Sequence, residues 1–187
     1  MLSNQALYLF LRRLIQKNSK NYHEQIQIKD DSIGNSYEKI FGRFLDENVT
    51  QVDIQDPYIR AFHQISNFLR FCELLIKSRA KVVCINLLTS QEANDQAKQT
   101  QARQLNEIKE HLLRKYSIDL IIQYSNVLHD REIRFNNGWH IKIGRGLDFY
   151  KAPEFKLAIG SYDLDLRPCH QTTIDIFHAD SFSAKSS

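Results

Sequence analysis

Lys81-Val82-Val83-Cys84-Ile85-Asn86-Leu87-Leu88 is the stretch on which the fold turns. It is a near-continuous run of β-branched and apolar side chains, the composition of a strand buried on both faces. Upstream, residues 49–55 alternate with Val52 and Ile54 on one face, and stop at Asp56-Pro57, where proline cannot continue a ladder. Between the two lie Ile65, Phe68, Leu69, Cys72, Leu75 and Ile76 at helical spacing. Downstream, residues 91–115 read as a long polar helix with Leu105, Ile108, Leu112 and Leu113 as its apolar stripe. Residues 119–124 (DLIIQY) then form another buried strand. This β-α-β-α-β order implies an α/β domain with parallel strands and right-handed crossovers.

Further along the pattern changes. Residues 131–136, 139–143 and 172–177 are short strands, and Asn137-Gly138 between the first two is a hairpin signal, so the sheet is expected to be mixed and flanked by helices. Ser36 is the expected N-cap of a helix over residues 37–45, whose Ile40, Phe41, Phe44 and Leu45 form an apolar face. The organisation read from these signals is an N-terminal helix and arm (1–35), one domain (36–178) and a frayed tail (179–187). Residues 1–17 read as an apolar helix with a basic end, packed on the domain or a partner, or lying on a membrane surface. Residues 18–35 read as a polar arm with a possible edge strand at 26–28.

The 187 residues, 42% of them hydrophobic, suit one domain with a sizeable core. No apolar run reaches the roughly 18 residues of a membrane span. The net charge of +3 is concentrated at the start, where Arg12, Arg13, Lys17 and Lys20 meet no acid, so the rest is close to neutral and not of nucleic-acid-binding composition. Any basic site in the main domain is therefore local. Cys72, Cys84 and Cys169 are widely spaced with no CxxC pair, which argues against a disulfide framework or structural zinc. They are expected to be buried small hydrophobes in a reducing, cytoplasmic setting.

The segment that carries chemistry runs from His129 to Gly146. Phospholipase-D-type enzymes need a histidine to attack phosphorus, a lysine two residues on to neutralise phosphate, and an aspartate five beyond that. Here the histidine is His129, Arg131 takes the lysine position and Asn136 the aspartate position. Arginine still binds phosphate through its planar fork, whereas asparagine has lost the charge. Lost turnover with retained anion binding is the expectation. The motif is single, while the two-step reaction uses two histidines, so a second His129 would have to come from a dimer partner.

Several blocks in order widen this likeness: Ser36-Tyr37-Glu38, Asp56-Pro57-Tyr58-Ile59-Arg60, Asn67-Phe68-Leu69-Arg70-Phe71-Cys72-Glu73, Leu87-Leu88-Thr89-Ser90, His129 through Trp139, Ile141 through Asp148, and Asp165-Leu166-Arg167-Pro168-Cys169-His170. On these the chain resembles the C-terminal phospholipase-D-like domain of the MIT-domain-containing cytokinesis proteins. The resemblance implies a phospholipase-D-like fold and a dimer without evident catalysis. It also implies association with phosphoinositide-bearing membranes, and a link to ESCRT-III in abscission at the midbody or late endosome through an MIT domain. Only about twenty residues precede the arm, too few for the three helices of an MIT domain, so ESCRT-III is an expected partner only if that domain is supplied elsewhere.

The candidate phosphate-binding residues are His129, Arg131, Arg134, Asn136, Lys142, Arg145 and Arg60. Against a pocket stands a plain surface hairpin, its charges paired with Asp130 and Glu132. Strand alternation also puts Arg131 and Arg134 on opposite faces. Gly144-Arg145-Gly146 reads equally as an anion nest or a turn. Arg60 reads as a ligand at the sheet's carboxyl edge or as a helix-start arginine paired with an acid. Asp165 and Arg167 read as structural pairs, Trp139 as core and His140 as solvent-facing. No cofactor is expected, nor a metal at Asp163 and Asp165, and no nucleic acid. Residual phosphodiesterase or nuclease activity through His129, or a pure protein-interaction scaffold, are the alternatives to a membrane-recruiting pseudoenzyme.

Overall fold

The computed structural model describes residues 22–179. The expected N-terminal helix at 1–17 and nearly all of the expected tail lie outside them. In chain order the elements are β1 (His23–Ile28), α1 (Tyr37–Phe41) running into a 3-10 turn Gly42–Phe44, β2 (Gln51–Gln55), α2 (Phe62–Lys77), β3 (Cys84–Thr89), α3 (Asp95–Tyr116), β4 (Asp119–Tyr124), β5 (Glu132–Phe135), β6 (Trp139–Ile143) and β7 (Thr172–His178), with a second 3-10 turn at Leu164–Leu166. The strands form one seven-stranded sheet in the order β1-β7-β6-β5-β2-β3-β4. β2, β3 and β4 are parallel, and the rest pair antiparallel. The mixed α/β architecture is therefore as expected.

Local chemistry sets the element ends. Ser36 caps α1, its hydroxyl accepting from the Lys39 amide at 3.4 Å. Asn94 caps α3 from the Ala97 amide at 2.8 Å. Ala61, at the N-cap of α2, has no polar side chain. The Gln64 carboxamide replaces it, accepting from the Arg60 and Ala61 amides at 3.2 and 3.0 Å. Asn137-Gly138 closes the β5–β6 hairpin, with the Gly138 amide donating to Phe135 O at 3.0 Å.

The decisive stretch departs from its expected burial. Residues 81–83 precede the strand, and β3 alternates: Ile85, Leu87 and Thr89 are buried, while Cys84, Asn86 and Leu88 are half-buried. β4 behaves alike, with Leu120 buried and Ile121 exposed. The reason is topological. β2, β3 and β4 are laid down in one direction, so both right-handed crossovers put their helices on the same side of the sheet. The core forms on that side from Val52, Ile54, Ile85, Leu87, Ile133, Ile141, Ile174 and Ile176 with the aromatic group Tyr37, Phe41, Phe71 and Phe149. Among the described residues no helix covers the other face, a largely polar surface crossed by links such as Asn86 to Asp53 at 2.6 Å and Gln25 to Asp175 at 2.9 Å. Cys84 lies half-buried on this face rather than in the core, while Cys72 and Cys169 are buried, and all three are free thiols.

The arm is likewise more than a linker. β1 is a six-residue edge strand paired along its whole length with β7, from His23 opposite Phe177 to Ile28 opposite Thr172. Trp139 is core, edge-on to Tyr22 and tilted against Phe44. Asp165 and Arg167 are structural but not paired with each other. Asp165 binds Lys39 at 3.1 Å and the Ser36 amide at 3.1 Å, and Arg167 binds backbone carbonyls.

A one-sided sheet predicts unequal neighbours. Ile174→Ala should cost about 2–5 kcal/mol, whereas Thr173→Ala, one residue away on the bare face, should stay within about 0.5 kcal/mol. Urea denaturation of the two variants checks this.

Candidate functional site

The parallel strands β2, β3 and β4 all end at one edge of the sheet, and the chain folds its polar residues there. β2 runs out into Asp56-Pro57-Tyr58, and β3 into Ser90, whose hydroxyl bonds to Pro57 O. The loop from β4 carries His129 back across this edge to Arg131 at the start of β5. The β6–β7 connection begins here too, with Gly144-Arg145-Gly146.

Asp56 lies at the centre and is 3% exposed. One carboxylate oxygen accepts from the Tyr58 amide at 3.0 Å, the other from the Leu147 amide at 3.1 Å. The carboxylate fills the glycine turn so closely that a Cβ on Gly146, at φ +62, would fall 1.9 Å from it. The turn is thus a nest, but its anion is the protein's own. Burial pushes the Asp56 carboxyl above the ordinary carboxylate value, partly opposed by the two amides and the Arg131 guanidinium.

Around this carboxylate stand the cations. Arg131 donates to Gly144 O at 2.6 Å and lies over the Tyr58 ring at 4.2 Å. The Arg60 guanidinium approaches the same ring at 5.4 Å, and its Nε is buried without a hydrogen-bond partner among the described residues. Arg60 also borders a cavity of about 440 Å3 shared with the first turn of α3 and with Glu92. The N-terminal dipole of that helix favours an anion there, and Glu92 opposes one. Arg145 reaches Asp148 O at 3.5 Å, and the Asp148 carboxylate is 3.4 Å from His63 and 3.0 Å from the Asn67 amide.

The seven expected site residues therefore divide. Arg60, Arg131 and Arg145 share the carboxyl edge, with His129 exposed on the loop above β5 and making no hydrogen bond or ion pair among the described residues. Arg134 and Lys142 do not join them. They lie on the bare face, where Arg134 pairs with the buried Glu132, and Lys142 stands in register between Glu132 and Asp175. Asn136 is at the opposite end of β5, about 16 Å from Arg131 at the rise of an extended strand. Its carbonyl oxygen accepts from the Thr50 and Gln51 amides at 2.9 and 3.2 Å, and its amide donates to the Thr50 hydroxyl at 2.8 Å. Asn136 anchors the start of β2, so within one chain it does not serve His129, and its lost charge carries no argument about proton transfer. The residues missed were Asp56, Tyr58, His63 and Asp148. Tyr58 was readable, two positions before Arg60 and just past a strand-ending proline, where a ring meets a guanidinium.

A family model described as a phospholipase D-like domain at the C-terminus of MIT matches residues 34–178. The chain belongs to this family. It is also 54% identical over 164 residues to the MIT domain-containing protein 1 of Mus musculus, an alignment covering 87% of this chain. The same alignment covers 65% of the mouse protein, so the chain spans less than two thirds of that relative. For this MIT C-terminal domain the phospholipase-D-like fold is thereby established. The signature's His and cation positions lie at the same end of β5, by the sheet edge, and its acid position lies at the other end. Among the described residues no helix is long and apolar enough to cross a membrane.

Three outcomes test the edge. Gly146→Ala should destabilise by several kcal/mol, because it adds backbone strain to a clash with a buried carboxylate; the urea midpoint reports it. Since Asp56 holds its proton more tightly folded than unfolded, its contribution falls as pH rises from the ordinary value near 3.8 through its raised folded value, and is restored on acidification. Arg131→Ala removes the opposing cation, so carboxyl NMR should then show Asp56 titrating higher still.

Proposed function

We propose that this domain is a non-catalytic module that dimerises and recruits its protein to anionic, phosphoinositide-bearing membranes from the cytoplasmic side. The observation that carries this reading is the arrangement of Arg60 and Arg131 about Tyr58. Two guanidinium groups lie against one exposed ring, one with a buried nitrogen still to satisfy, and neither makes a salt bridge among the described residues, although Arg131 feels the charge of Asp56 behind it. Guanidinium forks match phosphate oxygens, and the ring holds them ready without neutralising them. Arg145 extends the same edge. His129 stands exposed with no hydrogen-bonded partner among the described residues to make it a base, and Arg131 replaces the lysine of the active signature, which supports binding over turnover.

Dimerisation finds its support in the sheet face that no helix covers among the described residues, where Leu88 is half-buried and Ile121 exposed among polar groups. A role in ESCRT-III-linked abscission belongs to the whole protein and follows only where an MIT domain accompanies the module. The name of the mouse relative is consistent with that architecture.

Flotation with liposomes checks the reading. The chain should float with vesicles containing phosphoinositide and stay behind with neutral ones, and binding should weaken as salt rises. The double change Arg60→Glu and Arg131→Glu should abolish flotation; unchanged flotation would mean that the edge is not the site. Hydrolysis of bis(p-nitrophenyl) phosphate should be at background, and turnover removed by His129→Ala would reinstate a phosphodiesterase.

A further inference from the structure

The segment 152–162 joins the core at Tyr150 to the 3-10 turn Leu164–Leu166 and displays apolar side chains with unusual completeness. Phe155 is 70% exposed, Leu157 81%, Ile159 85% and Tyr162 83%. Scattered exposed hydrophobes are ordinary on a surface; four within eight residues are not. A slack loop would fold such side chains back onto the protein, but this one is held open. Two successive turns, Ala158 N to Phe155 O and Ser161 N to Ala158 O, both at 3.1 Å, shape it.

Its base is clamped by Arg167, 6% exposed, whose guanidinium donates to Ser161 O at 2.8 Å, to Lys151 O at 3.2 Å and to Gly160 O. Gly160 is required there: at φ +85 it passes so near Leu166 that a Cβ would lie 2.7 Å from the Leu166 carbonyl. A buried cation spent entirely on backbone carbonyls fixes the loop's shape while leaving its tip in water.

The surroundings indicate what the tip meets. Phe62, 72% exposed at the start of α2, faces the loop across a cavity of about 520 Å3 that it shares with His63, Asp148, Lys156 and Tyr162. His63 and Asp148 lead directly to Arg145, so the apolar loop and the arginine edge form one continuous border. Lys156 stands between Phe155 and Leu157, against Glu154 as the loop's own acid. Single apolar side chains projecting from a narrow rigid loop, beside a cationic edge, fit the boundary between headgroups and acyl chains better than a flat protein partner.

We propose that residues 155–162 form an insertion loop, which dips Phe155, Leu157, Ile159 and Tyr162 into an anionic bilayer while the arginine edge holds the headgroups. This rests on the membrane-binding reading above, and its test separates the two. A Leu157→Trp reporter in the full chain, mixed with phosphatidylcholine–phosphatidylserine vesicles, should shift its emission to the blue and be quenched by acyl-brominated lipid. The triple change Phe155→Ser, Leu157→Ser and Ile159→Ser should keep the unfolding midpoint, since these side chains are already exposed. It should weaken vesicle binding roughly tenfold or more, yet leave affinity for a soluble inositol phosphate unchanged. Vesicle binding with no quenching of the Leu157→Trp reporter would overturn the insertion loop alone. Failure of the unmodified chain to bind any vesicle would overturn the membrane reading and this proposal with it. Loss of dimer with vesicle binding intact in the triple variant would assign the loop to a second copy and also overturn the proposal.

Discussion

The carboxylate of Asp56 is enclosed where the two halves of the sheet meet, and its two oxygens are committed to amides from different halves. One amide belongs to Tyr58, just past the parallel strand β2; the other belongs to Leu147, just past the antiparallel strand β6. A buried carboxylate without these donors would be strongly unfavourable, so the turn at Gly144-Arg145-Gly146 must come to it. Once it does, Gly144 O is presented to Arg131, Tyr58 is held under both arginines, and Arg145 is aimed along the same edge. The candidate site is thus arranged around an internal anion that organises the cations from behind while leaving their outer faces to solvent.

Much of this was legible in the chain, and the exceptions share a cause. Strand and helix identity follow from periodicity, so β2, α2, α3 and the β5–β6 hairpin fall close to where the sequence puts them. Burial on one face or both depends on where the crossover helices go. The run at 81–88 cannot reveal that, because Val83 and Leu88 look like core whether or not anything covers them. β1 was underestimated for a related reason: its partner is β7, far away in sequence, and nothing local in His23–Ile28 announces it.

The site shows the same limit. Spacing in a motif is one-dimensional, and His129, Arg131 and Asn136 were read together because they are near in sequence. A strand separates Asn136 from the other two, and a strand is the element that carries neighbours apart fastest. Conversely, Arg60 and Arg131 are distant in sequence and meet over one ring. The glycines at 144 and 146 read equally as an anion nest or a turn; in the fold Gly146 closes on the carboxylate of Asp56, placed there by the same turn that ends β2.

The pairing of β1 with β7 also bears on how the molecule comes to be. It joins His23–Ile28 to residues of Thr172–His178, so the antiparallel end of the sheet cannot be completed until almost the whole domain exists. Contacts of such long sequence separation close late and slowly. During synthesis β1 must therefore wait unpaired, with its backbone donors and acceptors open to other chains, until the last strand leaves the ribosome.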